Sequence, residues 1–218
     1  EQQREVDECR SLYGTTPVQL LAHSVKLDAR WNLVHATHAT AEECAQIRQA
    51  GASVVLCPIT EAYLGDGLFA ADEFAAAGGR IAIGSDSNCR IDAVEELRLL
   101  EYGQRLRVQK RARFATEDGL GIPLWQAACR GGAQALGQAV GTLAPGSWAD
   151  IVVLDRDALA LRGHDADTLM DALLIGGSRA DIADVYVGGK LKVHGGRVHG
   201  AEESARQFAH AVMRLNTA

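Results

Sequence analysis

The stretch RIAIGSDSNC, residues 80–89, places a short apolar run directly before a tight polar turn. The apolar residues Ile81 to Ile83 predict a buried strand, which Gly84 ends. Asp86 then stands where the backbone leaves the sheet, at the carboxyl end of the strand. In α/β folds, ligands bind and chemistry takes place at that end of the strands. Because burying an unpaired carboxylate is costly, Asp86 must be held by a cation, a helix amino terminus or hydrogen bonds.

Two earlier stretches repeat this arrangement of strand and helix. WNLVH, residues 31–35, and SVVLC, residues 53–57, each predict a short strand that is apolar on both faces. Thr40 followed by Glu43 forms a capping-box pattern, which predicts that a helix starts between these strands. Strands that start about 20 to 30 residues apart and alternate with helices form right-handed parallel βαβ units.

The segments that flank the strand at residue 80 have their own signals. ITEAYLGDGLF, residues 59–69, is interpreted as a Gly-containing loop that leads to a helix ending at Gly78 and Gly79. A long helix is predicted from about Ala93 to Arg107, and residues 119–136 predict a further one.

The number of strands bounds the architecture. A complete (β/α)8 barrel needs roughly 250 residues, whereas only residues 1–140 of the 218 show this alternation, with three strands. Three parallel strands alone would leave sheet edges and one face uncovered. The simplest interpretation is an α/β fold in which residues 1–140 are the C-terminal part of a (β/α)8 barrel.

The remaining residues have a different pattern. Residues 141–200 contain short β-rich runs with Gly-Gly pairs at 188–189 and 195–196, which are hairpin signals. We therefore predict a small β module there, of the β-sandwich kind. Residues 201–218 predict a closing amphipathic helix that packs back on the barrel part.

Composition limits the possible partners. The chain is 47% hydrophobic, and its net charge of -6 argues against nucleic acid as the main partner. No run of about 18 apolar residues predicts a membrane span. The five cysteines show no paired spacing, which favours reduced thiols in a cytoplasmic protein.

Polar residues follow each predicted strand and suggest one shared site. His35, Glu61 and Asp86 lie at or just after strand ends, which converge on one mouth of a barrel, and Glu1 precedes the first helix where an earlier strand would end. A histidine with three carboxylates suits metal-assisted hydrolysis. Taken singly, each has another interpretation: a structural histidine for His35, a solvated loop residue for Glu61, and a turn or cap residue for Asp86.

Five motifs carry a resemblance to a known family. They are LVHATH (33–38), LCPITEAYLGDGLF (56–69), IGSDSN (83–88), VEELRLLEYGQRL (94–106) and GTLAPGSWADIVVLD (141–155). Together they resemble the amidohydrolase superfamily of metal-dependent hydrolases and, within it, the formimidoylglutamate deiminases. The last motif is shared by many members of the superfamily, while the second and fourth favour the deiminases.

The resemblance implies a role for three positions. Asp86 matches the metal ligand on the eighth strand, which also accepts the proton of the attacking water. His35 matches the histidine that ends the sixth strand and polarises the substrate, and Glu1 matches the glutamate that shuttles a proton to the leaving nitrogen. Glu61, at the mouth, is a weaker candidate for substrate binding.

The implied cofactor is one divalent metal, usually zinc. A catalytic zinc site needs at least three protein ligands, and this chain offers one obvious ligand, Asp86, so the others are expected upstream of residue 1. Residues 1–218 by themselves are therefore expected to be inactive. The implied reaction is hydrolysis of N-formimino-L-glutamate to N-formyl-L-glutamate and ammonia, a step of histidine degradation. The implied partners are a small substrate with carboxylates and a second copy in a homodimer.

Two alternatives stay open. The protein could be another amidohydrolase, such as a guanine or related ring aminohydrolase, whose substrates need stacking and amide partners instead of carboxylate anchors. It could also be a metal-free scaffold of the same fold that only binds ligands.

Overall fold

The structure, a computed structural model, describes residues 1–88 and 90–216. Cys89, the last residue of the stretch RIAIGSDSNC, and the final two residues of the predicted closing helix lie outside the described residues. Among the described residues, no helix has the length and apolar character needed to cross a bilayer.

Three parallel strands form the sheet predicted for the first part of the chain. They are β1 (Asn32–Val34), β2 (Ser53–Leu56) and β3 (Arg80–Ile83), in the order β1-β2-β3. Leu33 pairs with Val54, which in turn pairs with Ile81. These three side chains are buried, since helices cover this face of the sheet. The predicted parallel βαβ order is therefore confirmed, whereas the closed barrel stays a prediction.

In the part of residues 1–140 that the structure describes, seven helices accompany these strands. They are α1 (Gln3–Tyr13), α2 (Pro17–Ser24), α3 (Ala41–Gln49), α4 (Pro58–Leu64), α5 (Ala71–Ala76), α6 (Ala93–Val108) and α7 (Gly121–Leu136). Helix α3 has the predicted capping box: the Glu43 amide donates to the Thr40 hydroxyl, and the Thr40 amide donates to the Glu43 carboxylate at 2.7 Å. Helix α6 is capped by Asp92, whose side chain accepts hydrogen bonds from the amides of Val94 and Glu95.

The loop predicted for residues 59–69 is wrong in its first half. Residues 58–64 form helix α4, with Pro58 in its first turn and Gly65 in the left-handed conformation after its end. Proline is well suited to a first turn, because the amide it lacks would have no partner within the helix. The two glycines that follow suggested a loop, although Gly65 acts as a helix terminator. Glu61 therefore lies on a helix and is buried.

Helix α7 lies directly against strand β3 because Gly131 has no side chain. A Cβ atom at this position would lie 1.8 Å from the carbonyl oxygen of Ile81, which cannot move without displacing the strand. The next residue, Gly132, has no neighbouring heavy atom within 4 Å of the equivalent position. The two adjacent glycines thus differ only in which side of the helix they occupy.

We expect Gly131→Ala to lower the free energy of unfolding by about 1–3 kcal/mol, because the added methyl group forces α7 away from β3. The matched control, Gly132→Ala, should raise it by up to about 1 kcal/mol, since alanine has the higher helix propensity. Urea denaturation followed by circular dichroism measures both values. An equal response of the two variants would contradict the close contact of helix and strand.

The second part of the chain contains a four-stranded antiparallel sheet. Its strands are β4 (Ile151–Leu154), β5 (Ile182–Val187), β6 (Lys190–His194) and β7 (Arg197–Val198), paired in sequence order. The predicted hairpins at Gly188–Gly189 and Gly195–Gly196 are present, with positive φ at all four glycines. A sandwich needs a second packed sheet, and this prediction is not tested by the single sheet of residues 141–216.

A helix that the sequence analysis did not predict ties this part to the first. Helix α8 (Leu169–Gly176) packs against α6 and α7. Its Asp171 accepts hydrogen bonds from the amides of Leu120 (2.9 Å) and Gly121 (2.6 Å) at the start of α7, and Arg98 of α6 donates to the Leu174 carbonyl at 2.7 Å. The predicted domain boundary at residue 141 stays a prediction, but α8 packs with the helices that precede it.

The closing helix α9 (Ala201–Asn216) forms as predicted. Every one of its residues is exposed, including Phe208 and Leu215 on its apolar face. It therefore buries none of its residues within the described chain, and its packing on the barrel part stays a prediction.

Candidate active site

The backbone is strained where strands β1 and β3 end. φ is 63° at His35, 49° at Ala36 and 52° at Asp86. Residues other than glycine rarely adopt this left-handed conformation, and such strain is concentrated at active sites and ligand clamps. A hydrogen bond of 2.8 Å from the His35 amide to the Val55 carbonyl ties His35 to β2. The side chains of His35 and Asp86 therefore leave the sheet at the same edge, where the parallel strands have their carboxyl ends.

Three carboxylates surround the imidazole of His35. Its Nδ1 lies 3.2 Å from Glu61 Oε1, while its Nε2 lies 3.5 Å from Asp86 Oδ2 and 3.6 Å from Glu1 Oε1. The second oxygen of Asp86, Oδ1, accepts from the Ser87 amide at 2.6 Å. The structure thus brings together all four residues that the sequence predicted for this site. Their roles are not tested by this proximity.

Glu61 supports His35 from behind. Its Oε1 also accepts from the Cys57 amide at 2.9 Å, so one oxygen holds both the start of helix α4 and the imidazole. Burial raises the pKa of Glu61, although the Cys57 amide and His35 act in the opposite direction. Since Glu61 binds Nδ1, the Nε2 atom of His35 is left to face Asp86 and Glu1.

Glu1 stands beside a fourth acidic side chain, that of Asp66. Burial raises the pKa of Glu1, and the neighbouring Asp66 carboxyl group raises it further. Asp66 is itself buried and follows Gly65 at the end of α4. A raised pKa allows a carboxyl group to carry a proton nearer neutral pH, which is what a proton shuttle requires.

Unpartnered polar atoms lie around this edge of the sheet. Among the described residues, buried side-chain atoms without a hydrogen-bond partner include Glu1 Oε1, Thr37 Oγ1, His38 Nε2 and Asp66 Oδ2. Glu1, Thr37 and His38 also line a cavity of about 310 Å³ that runs along β1 beside α1 and α2. Buried polar atoms are normally paired, so this edge has free capacity to hydrogen-bond a ligand.

The donor atoms fit a divalent metal held by Asp86. His35, Cys57 and Asp86 each offer one ligand atom, and these atoms lie within 4.8 Å of one another. Burial, with the charges of Glu61, Asp86 and Glu96, raises the pKa of Cys57 to about 12, and a metal binds the thiolate, not the thiol. Glu61 holds Nδ1 of His35, so Nε2 stays available beside the Asp86 carboxylate. Carboxylate and imidazole are both zinc ligands, so the residues present fit a divalent metal at this place.

Two members of this cluster were missed by the sequence analysis. Cys57 was counted as a scattered thiol, although its position after β2 matches that of His35 after β1. Asp66 was placed in a loop, where an Asp-Gly pair ordinarily indicates only a turn. Position at a strand end could have found Cys57, whereas no local signal distinguishes Asp66.

Known proteins match nearly the whole chain. It is 48% identical over 217 residues to formimidoylglutamate deiminase of Pseudomonas aeruginosa, covering 99% of this chain and 48% of that protein. It is 36% identical to 8-oxoguanine deaminase of the same organism, covering 94% of this chain and 45% of that protein. The chain thus spans about half the length of the curated relatives it matches.

Solved structures share the fold. An amidohydrolase from Brucella melitensis superposes with a TM-score of 0.90 at 41% identity, over 99% of this chain and 48% of that one. An adenosine deaminase from Xanthomonas campestris with bound zinc superposes with a TM-score of 0.83 at 26% identity, over 100% of this chain and 50% of that one.

The family match agrees with both comparisons. The amidohydrolase family model matches residues 1–192, which include β1 to β3, the residues around His35 and most of the second sheet. This chain belongs to the amidohydrolase family.

Proposed function

We propose that the protein carrying this chain hydrolyses a C–N bond of N-formimino-L-glutamate, with N-formyl-L-glutamate and ammonia as products. The observation that carries the proposal is the imidazole of His35 held among Glu1, Glu61 and Asp86 at one edge of the sheet. The 48% identity to formimidoylglutamate deiminase supports the choice of substrate. In this proposal, β1 to β3 are strands six to eight of a (β/α)8 barrel.

Asp86 accepts the first proton of the reaction. Its Oδ2 is held near His35 Nε2, so the carboxylate is placed to take a proton from the attacking water. Asp86 would also hold the divalent metal, zinc, with other ligands from outside residues 1–218. When bound, such a metal lowers the pKa of water so that it can react at neutral pH.

His35 stabilises the charge that develops on the substrate. The contact of 3.2 Å between Nδ1 and Glu61 Oε1 sets the ring orientation, and Nε2 points to where the substrate would lie between Asp86 and Glu1. With a hydrogen on Nε2, His35 donates to the tetrahedral intermediate that forms when water attacks the formimino carbon and so stabilises it. We propose this supporting role for Glu61 in place of the substrate contact that the sequence predicted.

Glu1 delivers the proton to the leaving nitrogen. Its Oε1 faces His35 Nε2 and has no hydrogen-bond partner among the residues that the structure describes, and burial raises the pKa of its carboxyl group. The nitrogen needs two protons to leave as ammonia, and both come from the attacking water: Asp86 takes the first, and the second is lost from the hydroxyl group of the tetrahedral intermediate. Glu1 passes protons to the nitrogen, the C–N bond breaks, ammonia leaves, and the oxygen of water stays on the carbon as the formyl carbonyl.

The test is ammonia release by the full-length protein that carries this chain. With N-formimino-L-glutamate we expect turnover at rates usual for enzymes, about 1–1000 per second, and none with guanine or 8-oxoguanine. Release of ammonia from the purines alone would favour the second candidate, a ring aminohydrolase, which the 36% identity to 8-oxoguanine deaminase supports. No turnover of any of them, with no bound metal, would favour a binding scaffold.

Two further proposals concern the setting of the enzyme. We propose that it acts in the cytoplasm and that two copies associate as a homodimer. Sedimentation of the full-length protein at several concentrations tests the second, and a single species with the mass of one copy would contradict it.

A further inference from the structure

Glu96 is a buried acidic residue that the proposed mechanism does not use. It lies on the first turns of helix α6 and is only 1% exposed. Its Oε2 accepts a hydrogen bond of 2.9 Å from the amide of Ile59, the second residue of helix α4. Its Oε1 has no hydrogen-bond partner among the described residues. A buried carboxylate is costly, so its presence between two helices calls for a physical reason.

The contact lies at a helix end that needs an acceptor. The first amides of a helix have no partner inside it, and Pro58 at the start of α4 removes one of them. Glu61 accepts from the Cys57 amide, and Glu96 accepts from the Ile59 amide, so both neighbouring amides are satisfied by carboxylates. Burial raises the pKa of Glu96 to about 7, while the bond from Ile59 lowers it. The first turn of α4 is thus fixed from α6 by one hydrogen bond.

This first turn of α4 carries the residue that orients the imidazole. Glu61 is two residues after Ile59, and its Oε1 holds His35 Nδ1 at 3.2 Å. A chain of contacts therefore runs from Glu96 through the start of α4 to Glu61 and His35. A small shift of α4 would move Glu61 away from His35, because the same oxygen, Oε1, accepts from the Cys57 amide and contacts His35 Nδ1.

We propose that Glu96 is a positioning residue, which holds the start of helix α4 so that Glu61 keeps His35 in its productive orientation. This inference rests on the proposed deiminase activity only for its kinetic test. The neighbouring Glu95 offers a matched control on the same helix: it is half-buried and pairs with Arg98 at 2.9 Å and Arg90 at 3.5 Å, away from α4.

The first experiment measures how firmly the start of α4 is held, and it does not depend on enzyme activity. Hydrogen exchange followed by mass spectrometry on the full-length protein compares Glu96→Met, which keeps the volume and loses the acceptor, with Glu95→Gln. We expect amides of residues 59–64 to exchange at least about 10-fold faster in Glu96→Met, and unchanged exchange in Glu95→Gln. Unchanged exchange in both variants would overturn the proposed hold.

The second experiment is a double-mutant cycle on kcat. Glu96→Met should lower kcat about 10-fold to 100-fold in the natural protein, with little change in KM, as loss of an orienting group does. In a Glu61→Gln background, Glu96→Met should lower kcat less than about 2-fold, because the contact between Glu61 and His35 that Glu96 supports is already impaired. Equal losses in both backgrounds would show that Glu96 does not act through Glu61 and would overturn the inference.

Glu96→Gln keeps the test valid if the Met variant does not fold. Its amide oxygen still accepts from the Ile59 amide, so we expect kcat within about 3-fold of the natural protein and unchanged exchange in α4. A folded Glu96→Gln variant that loses 10-fold or more in kcat would contradict a role through this hydrogen bond. If the natural protein releases no ammonia at all, the proposed function fails, while the exchange experiment still decides whether Glu96 holds α4.

Discussion

Asp86→Asn should abolish ammonia release, with a loss of at least about 1000-fold in kcat, and should lower bound zinc. Asparagine has nearly the same shape and tolerates the left-handed backbone at this position. Its amide neither accepts a proton from water nor binds zinc as a carboxylate does. Ammonia release from N-formimino-L-glutamate and the zinc content per chain of the full-length protein measure the two effects.

The control for this variant is Asp118→Asn, which removes the same charge from an exposed turn. We expect it to leave both activity and zinc content unchanged. Full activity of Asp86→Asn without bound metal would contradict the assignment of Asp86 as metal ligand and base. Equal loss in both variants would indicate an effect of net charge instead of the site.

His35→Asn should lower kcat by about 100-fold to 10,000-fold while the zinc content stays unchanged. Asparagine can replace Nδ1 in the bond to Glu61 and suits the left-handed backbone, but it places no donor at the position of Nε2. Steady-state kinetics, with zinc measured on the same samples, separate this effect from that of Asp86→Asn.

His35→Gln is the matched comparison, because its longer side chain carries an amide nitrogen to the position of Nε2. We expect it to recover part of the activity that His35→Asn loses. His23→Asn, a change of an exposed histidine on α2, should have no effect. If His35→Asn instead loses its zinc, His35 is a metal ligand and its assignment as the group that polarises the substrate fails.

The sequence predicted the elements that depend on neighbouring residues. The apolar runs at residues 31–35, 53–57 and 80–84 became the three parallel strands, and Thr40 with Glu43 became a helix cap. These features are local because a strand, a cap or a tight turn is decided by a few consecutive side chains. The polar residues at strand ends followed from the same local logic and from the convergence of parallel strands.

Helices α4 and α8 show where local signals were insufficient. In α4, Gly65 was interpreted as part of a loop, although it also suits the end of a helix, and Pro58 suits the first turn. Helix α8 has only eight residues, and such short helices depend on tertiary packing more than on propensity. Its contacts with α6 and α7, such as Asp171 on the amides of Leu120 and Gly121, join residues about 50 positions apart.

By itself, the sequence determined that His35 and Asp86 stand at the ends of two strands of one parallel sheet, because the period of apolar residues and the turn residues encode this. Only the tertiary structure decided that Glu61 lies behind His35, that Cys57 is a buried thiol, and that Glu96 holds the start of α4. The physical reason is distance along the chain. Contacts such as Glu96 with Ile59 depend on how two helices pack, which no local pattern specifies.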